Sequence, residues 1–159
     1  MKKNTDKTNV MRILEQKKID YTSYCYIDSG VISGIDVANV LNQDPNQVFK
    51  TLVTIGGSNN NYVFLVPVCK ELDLKKAAKA VGEKSISMIK SKDLLALTGY
   101  IHGGCSPIGM KKQFKTVIDA SAANFSTIIF SGGKIGYQVE TSLEELKKGL
   151  RFELKDIAE

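Results

Sequence analysis

The single histidine of this 159-residue chain, His102, stands three positions before Cys105. Both lie in the glycine-rich run Tyr100-Ile101-His102-Gly103-Gly104-Cys105-Ser106-Pro107-Ile108-Gly109. A thiol and an imidazole are two parts of a cysteine hydrolase. A spacing of three would join them on a helix, but three glycines and a proline keep this run from being one. No third group is placed to orient the imidazole, so a loop thiol and a loop imidazole with no shared chemistry are the favoured reading. A serine hydrolase fares no better, because Gly-x-Ser-x-Gly is absent. A zinc site needs clustered ligands, and one histidine without any Cys-x-x-Cys gives none; no metal is expected.

The same run lacks the phosphate fingerprints Gly-x-Gly-x-x-Gly and Gly-Lys-Ser/Thr. Its glycines let a ligand approach backbone N–H groups, which could hold a carbonyl or carboxyl oxygen. The competing reading is an ordinary connection. Ser131-Gly132-Gly133-Lys134 poses the same choice, between a plain hairpin turn and a second wall of donors. Lys50 interrupts the apolar run Val48-Phe49-Lys50-Thr51-Leu52-Val53. Alternation puts Val48, Lys50 and Leu52 on one face and Phe49, Thr51 and Val53 on the other. Either the ammonium snorkels out at an edge or it enters a polar cavity.

These residues need elements to hold them. Residues 1–8 read as a flexible arm. From Asn9 a helix sets Val10, Ile13 and Leu14 on one face. Tyr21 to Tyr26 reads as a short strand, and Ser33 caps a helix carrying Ile35, Ala38 and Leu41. Val48 to Ile55 and Tyr62 to Val68 form the clearest hairpin, joined through Gly56-Gly57-Ser58 and three asparagines. Asp73 caps Leu74 to Val81, with Gly82 as the stop. Ile86 to Ile89 is a short strand, and Ser91 caps a helix ended by Gly99. The Tyr100–Gly109 loop is expected to hold a strand at its start. Strands follow at Thr116 to Asp119, Phe125 to Phe130 and Ile135 to Glu140. Thr141 and Glu144 read as a capping box for a helix to Lys148, and Phe152 to Leu154 as a weak last strand. This order has too few βα alternations for a doubly wound sheet. It predicts one mixed α/β domain over residues 1–159. Its sheet is expected to be largely antiparallel and barrel-like, with helices packed outside and closure removing the edges.

Composition narrows the setting. Hydrophobic residues make up 43% of the chain, enough for a core without disulfide or metal staples. No run approaches a membrane span, and the polar start Met1-Lys2-Lys3-Asn4 leads into no signal-peptide core. Three scattered cysteines, Cys25, Cys69 and Cys105, fit a reducing cytoplasm. The 22 basic and 17 acidic residues give +5, with Arg12 and Arg151 the only arginines. Either a polyanionic partner or a general lysine bias accounts for that charge.

Five segments in register resemble the YbaK/EbsC family, free-standing relatives of the editing domain of prolyl-tRNA synthetases. They are Val48 to Leu52, Leu72 to Lys76, Thr98 to Gly109, Ile118 to Ala120 and Ser131 to Lys134. The resemblance implies a barrel-like α/β fold, no cofactor, and deacylation of mischarged Cys-tRNA(Pro). A pocket discriminates poorly between proline and the similarly sized cysteine, so a second site must remove the error. The partner implied is the aminoacylated end and acceptor stem of tRNA, with prolyl-tRNA synthetase as a possible second partner, and neither DNA nor membrane. Catalytic places fall to Lys50, Gly103 and Gly104. Substrate-binding places fall to Tyr26, Thr51, Cys105, Ser106, Pro107, Ser131, Gly133 and Gln138. Cys105 stands at a variable loop position, and Gln138 stands where some members carry Asp. The implied mechanism needs no protein nucleophile, because the substrate's own thiol attacks the ester. The alternatives are a deacylase for another aminoacyl group, such as alanine, and a non-catalytic tRNA- or synthetase-binding module.

Overall fold

Thr8 Oγ1 accepts a hydrogen bond from Met11 N–H at 3.2 Å and opens α1 (Asn9–Gln16). The computed structural model describes residues 7–159. Most of the expected arm therefore lies outside the described residues, while Thr8 belongs to the helix start. Helix α1 buries Val10, Met11 and Leu14. After β1 (Thr22–Cys25), Ser33 caps α2 (Gly34–Val40) by accepting from Asp36 N–H. Strands β2 (Phe49–Gly56) and β3 (Asn61–Pro67) form the expected hairpin, with Lys50 opposite Val66 and Ile55 opposite Asn61. Asp73 caps α3 (Leu74–Val81), accepting from Lys75 and Lys76 N–H, and Gly82 stops it at φ 74°. Then come β4 (Ile86–Met88), α4 (Ser91–Thr98), β5 (Lys115–Asp119), β6 (Ile128–Ser131), β7 (Tyr137–Thr141), α5 (Leu143–Leu146) and β8 (Glu153–Lys155).

Three local readings are corrected. Ser91 is not a cap: it lies inside the first turn of α4, behind Lys90 at the N-cap position. Thr141 ends β7 and donates its hydroxyl to the Asp20 carbonyl, so Ser142 caps α5 by accepting from Glu145 N–H. No strand starts at Tyr100, because its hydroxyl donates to the Ile108 carbonyl and folds the segment back on itself.

The strands make two sheets, β1-β7-β6 and β4-β2-β3-β5-β8. Four strand pairs are antiparallel; β3–β5 and β5–β8 are parallel. The expected barrel does not form. The sheets meet at one isolated parallel bridge, Val48 to Ile129, and β8 remains an exposed edge carrying Glu153 and Lys155. Charged edge strands discourage pairing with other chains, so closure is not required. One core cluster joins Val10 and Leu14 to Phe49, Val53, Phe130 and Val139; a second packs Ala77 and Ala78 against Phe64, Val66, Val117 and Ile157. Among the described residues, no helix is long and apolar enough to cross a membrane.

Asp119 ties the chain's end to this sheet. Its Oδ1 accepts from Ile157 and Ala158 N–H at 3.0 and 3.1 Å, and its Oδ2 accepts from Ser121 N–H. Burial opposes the charge, but the hydrogen bonds outweigh it and hold the carboxyl below its ordinary range. Asp119→Asn is expected to cost about 1–3 kcal/mol at pH 7. A depressed native pKa means this stabilisation is complete above the unfolded value near about 3.9 and is lost as pH falls through the native one. Thermal melts of wild type and variant should therefore differ at pH 7 and converge in acid.

Candidate active site

Strand β2 is paired with β3 along its length, but its other edge is shared. Strand β4 takes Thr54 to Gly56, and β6 reaches that edge at Val48. Between them β2 has no strand neighbour on this side. A cavity of about 500 Å³ opens there, walled by residues 48–53. Ile89, just past the end of β4, and Phe130 and Ser131 from β6 flank it. Gln138 and Tyr26 line another wall, α2 contributes Ile35 and Val37, and the glycine-rich loop brings His102, Gly103 and Cys105. The cavity is thus made by two strands diverging from a third, and its volume is that of small-molecule sites.

Lys50 lines the cavity, and its Nζ lies 3.5 Å from Glu71 Oε2, a carboxylate 77% exposed. Among the described lining residues no other Lys or Arg occurs, and none is Asp or Glu. Thr51 Oγ1 is buried without a hydrogen-bond partner, although a hydroxyl so placed costs free energy until something pairs with it. Ser131 Oγ accepts from Gly133 N–H at 3.1 Å, which leaves its own proton to donate. Tyr26 is 7% exposed and Gln138 is 4% exposed, so both are largely buried.

Of the residues singled out in the sequence, the fold brings Tyr26, Lys50, Thr51, Gly103, Cys105, Ser131 and Gln138 around this space. Gly104, Ser106, Pro107 and Gly133 are not among its lining residues. The expected rows of free backbone donors are shorter than the sequence predicts. Gly104 N–H donates to the Ile101 carbonyl, Gly132 N–H to the Tyr137 carbonyl, and Gly133 N–H to Ser131, because tight turns satisfy their own donors. Ser106 Oγ accepts from Ile108 N–H inside the loop. Among the described residues, no protein acceptor takes the N–H of Gly103 or Cys105. Cys105 is 8% exposed, and burial pushes its thiol up to about 12, so it stays protonated at neutral pH.

The two glycines should respond differently to a methyl group. Gly103 has φ +89°, and a Cβ there would sit 3.0 Å from Ile32 Cγ2, a lining residue. A Cβ on Gly104 would meet the backbone of Lys134 and Ile135 at 3.1–3.3 Å. Gly103→Ala is expected to lower activity at least tenfold and stability by about 1–2 kcal/mol, the cost of a left-handed non-glycine residue. Gly104→Ala should act mainly through stability, with activity per folded molecule near wild type. Melting curves beside turnover per folded protein separate the two.

The sequence did not point to an apolar mouth. Ile32, Ile35 and Met88 line the cavity while 53%, 37% and 47% exposed. The signal was present in α2, which buries Val37 and Ala38 and leaves Ile35 over as an unburied apolar residue.

Residues 31–148 match the aminoacyl-tRNA editing domain family. Over 146 residues the chain is 48% identical to EbsC of Enterococcus faecalis (strain ATCC 700802 / V583), a protein proposed to be a Cys-tRNA(Pro)/Cys-tRNA(Cys) deacylase. That match covers 91% of this chain and 89% of the relative. Among solved structures, a protein proposed as a trans-editing enzyme for prolyl-tRNA synthetase superposes with a TM-score of 0.81 at 21% identity, covering 97% of this chain and 99% of that one. The hypothetical protein APE2540 gives 0.84 at 18% identity, covering 96% and 100%. The fold is that of these proteins, and with the sequence match it places the chain in the aminoacyl-tRNA editing domain family, on its YbaK/EbsC side.

Proposed function

We propose that this chain, acting as a single editing domain, is an aminoacyl-tRNA deacylase that clears Cys-tRNA(Pro). The observation that carries the reading is the cavity at the open edge of β2, with Lys50 among its lining residues and an apolar mouth. The 3′-terminal aminoacyl adenosine enters between the β2 edge and the glycine-rich loop. Lys50 binds phosphate or ribose oxygen and orients the ester. The N–H groups of Gly103 and Cys105 face the developing negative charge on the carbonyl oxygen.

The substrate's sulfur then attacks its own ester carbonyl. The bond from carbonyl carbon to ribose oxygen breaks, the ribose oxygen takes up the proton that the thiol gives up, and a cyclic thioester leaves. Water opens that ring to cysteine. The first step is a release without water, so the reaction has lyase character within a net hydrolysis. Lysines outside the cavity contact the acceptor stem through phosphate charge and helix shape, without base readout. The setting is the cytoplasm, where aminoacyl-tRNA is made, and the relation to prolyl-tRNA synthetase is that of a separate protein clearing its errors.

Recognition by charge and shape makes the amino acid, not the tRNA, the selected part. Steady-state release should therefore be fast from Cys-tRNA(Pro) and from Cys-tRNA(Cys), and at least about 10²-fold slower from Ala-tRNA(Pro) and Pro-tRNA(Pro), which lack a thiol. Equal release of alanine would make this an alanine editor. Tight tRNA binding without turnover would make it a binding module.

A further inference from the structure

Gln138 shares its side-chain carbonyl with a second amide that follows α2. Gln43 Nε2 donates to Gln138 Oε1 at 2.8 Å, across 95 residues of sequence. Gln43 is itself pinned by its backbone, whose N–H donates to the Ala38 carbonyl. Its own Oε1 is buried with no partner. Turning both amides over would leave a buried NH₂ unpaired instead of a carbonyl, and buried unpaired donors are the rarer of the two. With Gln138 Oε1 accepting from Gln43, the part of Gln138 without a protein partner among the described residues is its NH₂, which donates and cannot accept. The rest of the lining agrees. Among the described lining residues there is no carboxylate, and Glu71, outside the lining, is turned to Lys50. An α-ammonium brought inside would lose its hydration, meet Lys50, and find no counter-charge.

We infer that the Gln43–Gln138 pair sets the polarity of the site. Gln43 is a positioning residue that holds Gln138 with its N–H donors toward the bound aminoacyl group. The group is taken by its oxygen and sulfur acceptors, and its α-ammonium makes no charge contact. The inference rests on the cavity being the aminoacyl site.

Two stable analogues test it, 3′-deoxy-3′-(cysteinylamino)adenosine and its N-acetyl derivative. Binding to the full chain is measured by calorimetry under reductant at pH 6, where an α-amine of pKa about 7.7–8.0 is charged. Wild type should bind the acetylated form as tightly as the free amine, within threefold, or more tightly. Gln138→Glu puts a carboxylate on the cavity. Gln43→Glu accepts from Gln138 Nε2 and turns its carbonyl inward. Each should shift the ratio of affinities toward the free amine by tenfold or more, a change that loss of packing alone would not produce. A wild-type preference for the free amine above threefold overturns the inference and needs no variant. A shift below tenfold in either folded variant also overturns it. Failure of the functional reading shows separately, as no cysteine release from Cys-tRNA(Pro) by the same preparation and no binding of either analogue.

Discussion

Lys50→Ala is expected to slow cysteine release from Cys-tRNA(Pro) by about 10²- to 10⁴-fold, the range for removing a key electrostatic or orienting group. That loss corresponds to about 2.7–5.5 kcal/mol of barrier. The fold should hardly notice. The side chain is 29% exposed, and its partner Glu71 is 77% exposed. An ion pair so open to water contributes about 0–1 kcal/mol. Backbone pairing of Lys50 with Val66 does not depend on the side chain. Activity should therefore fall far more than stability does, and single-turnover rates beside thermal melts would show the separation. Lys50→Arg should lose at least tenfold, because a planar guanidinium does not place its charge where a compact ammonium does. Near-normal turnover by a folded Lys50→Ala protein would remove Lys50 from the site.

What could be read in the sequence was local. The β2–β3 hairpin follows from apolar alternation around a glycine and asparagine turn, and α3 from Asp73 at one end and Gly82 at the other. The alternation around Lys50 was also legible, since Phe49 and Val53 enter the main core while Leu52 packs on the other face. The cavity was not legible, because it exists where β4 and β6 reach the same edge of β2 at different heights. That competition involves segments tens of residues apart. The glycines misled for a related reason. Gly104 and Gly133 have the composition of free donors, but their N–H groups are used inside the turns that position them. Gln43 carried no pattern at all, since its importance comes from a partner on β7.

The second large effect concerns the thiol that attacks. Cys105 lines the cavity but is buried and protonated, and among the described residues no hydrogen bond joins it to His102. The substrate's sulfur lies a few bonds from the ester carbonyl, so little entropy is lost in bringing them together. Well-oriented intramolecular attack reaches effective molarities of about 10⁵–10⁸ M, and blocking the sulfur removes that advantage. A tRNA(Pro) carrying S-methylcysteine should therefore be cleaved at least about 10³-fold more slowly than Cys-tRNA(Pro). Binding of the two should stay within a few-fold, because the apolar mouth accepts a methyl group. Competition binding beside single-turnover cleavage checks both halves. Comparable cleavage of the two substrates would show that the sulfur is a recognised group and not the nucleophile.

The most direct measurement is the rate of cysteine release from Cys-tRNA(Pro) by the chain in which Cys25, Cys69 and Cys105 are all serine. With folding verified by its melting curve, that variant should work within a few-fold of wild type, since the protein supplies orientation and charge and the substrate supplies the thiol. A loss of about 10³-fold or more in the folded variant, the scale for removing a protein nucleophile, would contradict the account and make this a cysteine hydrolase.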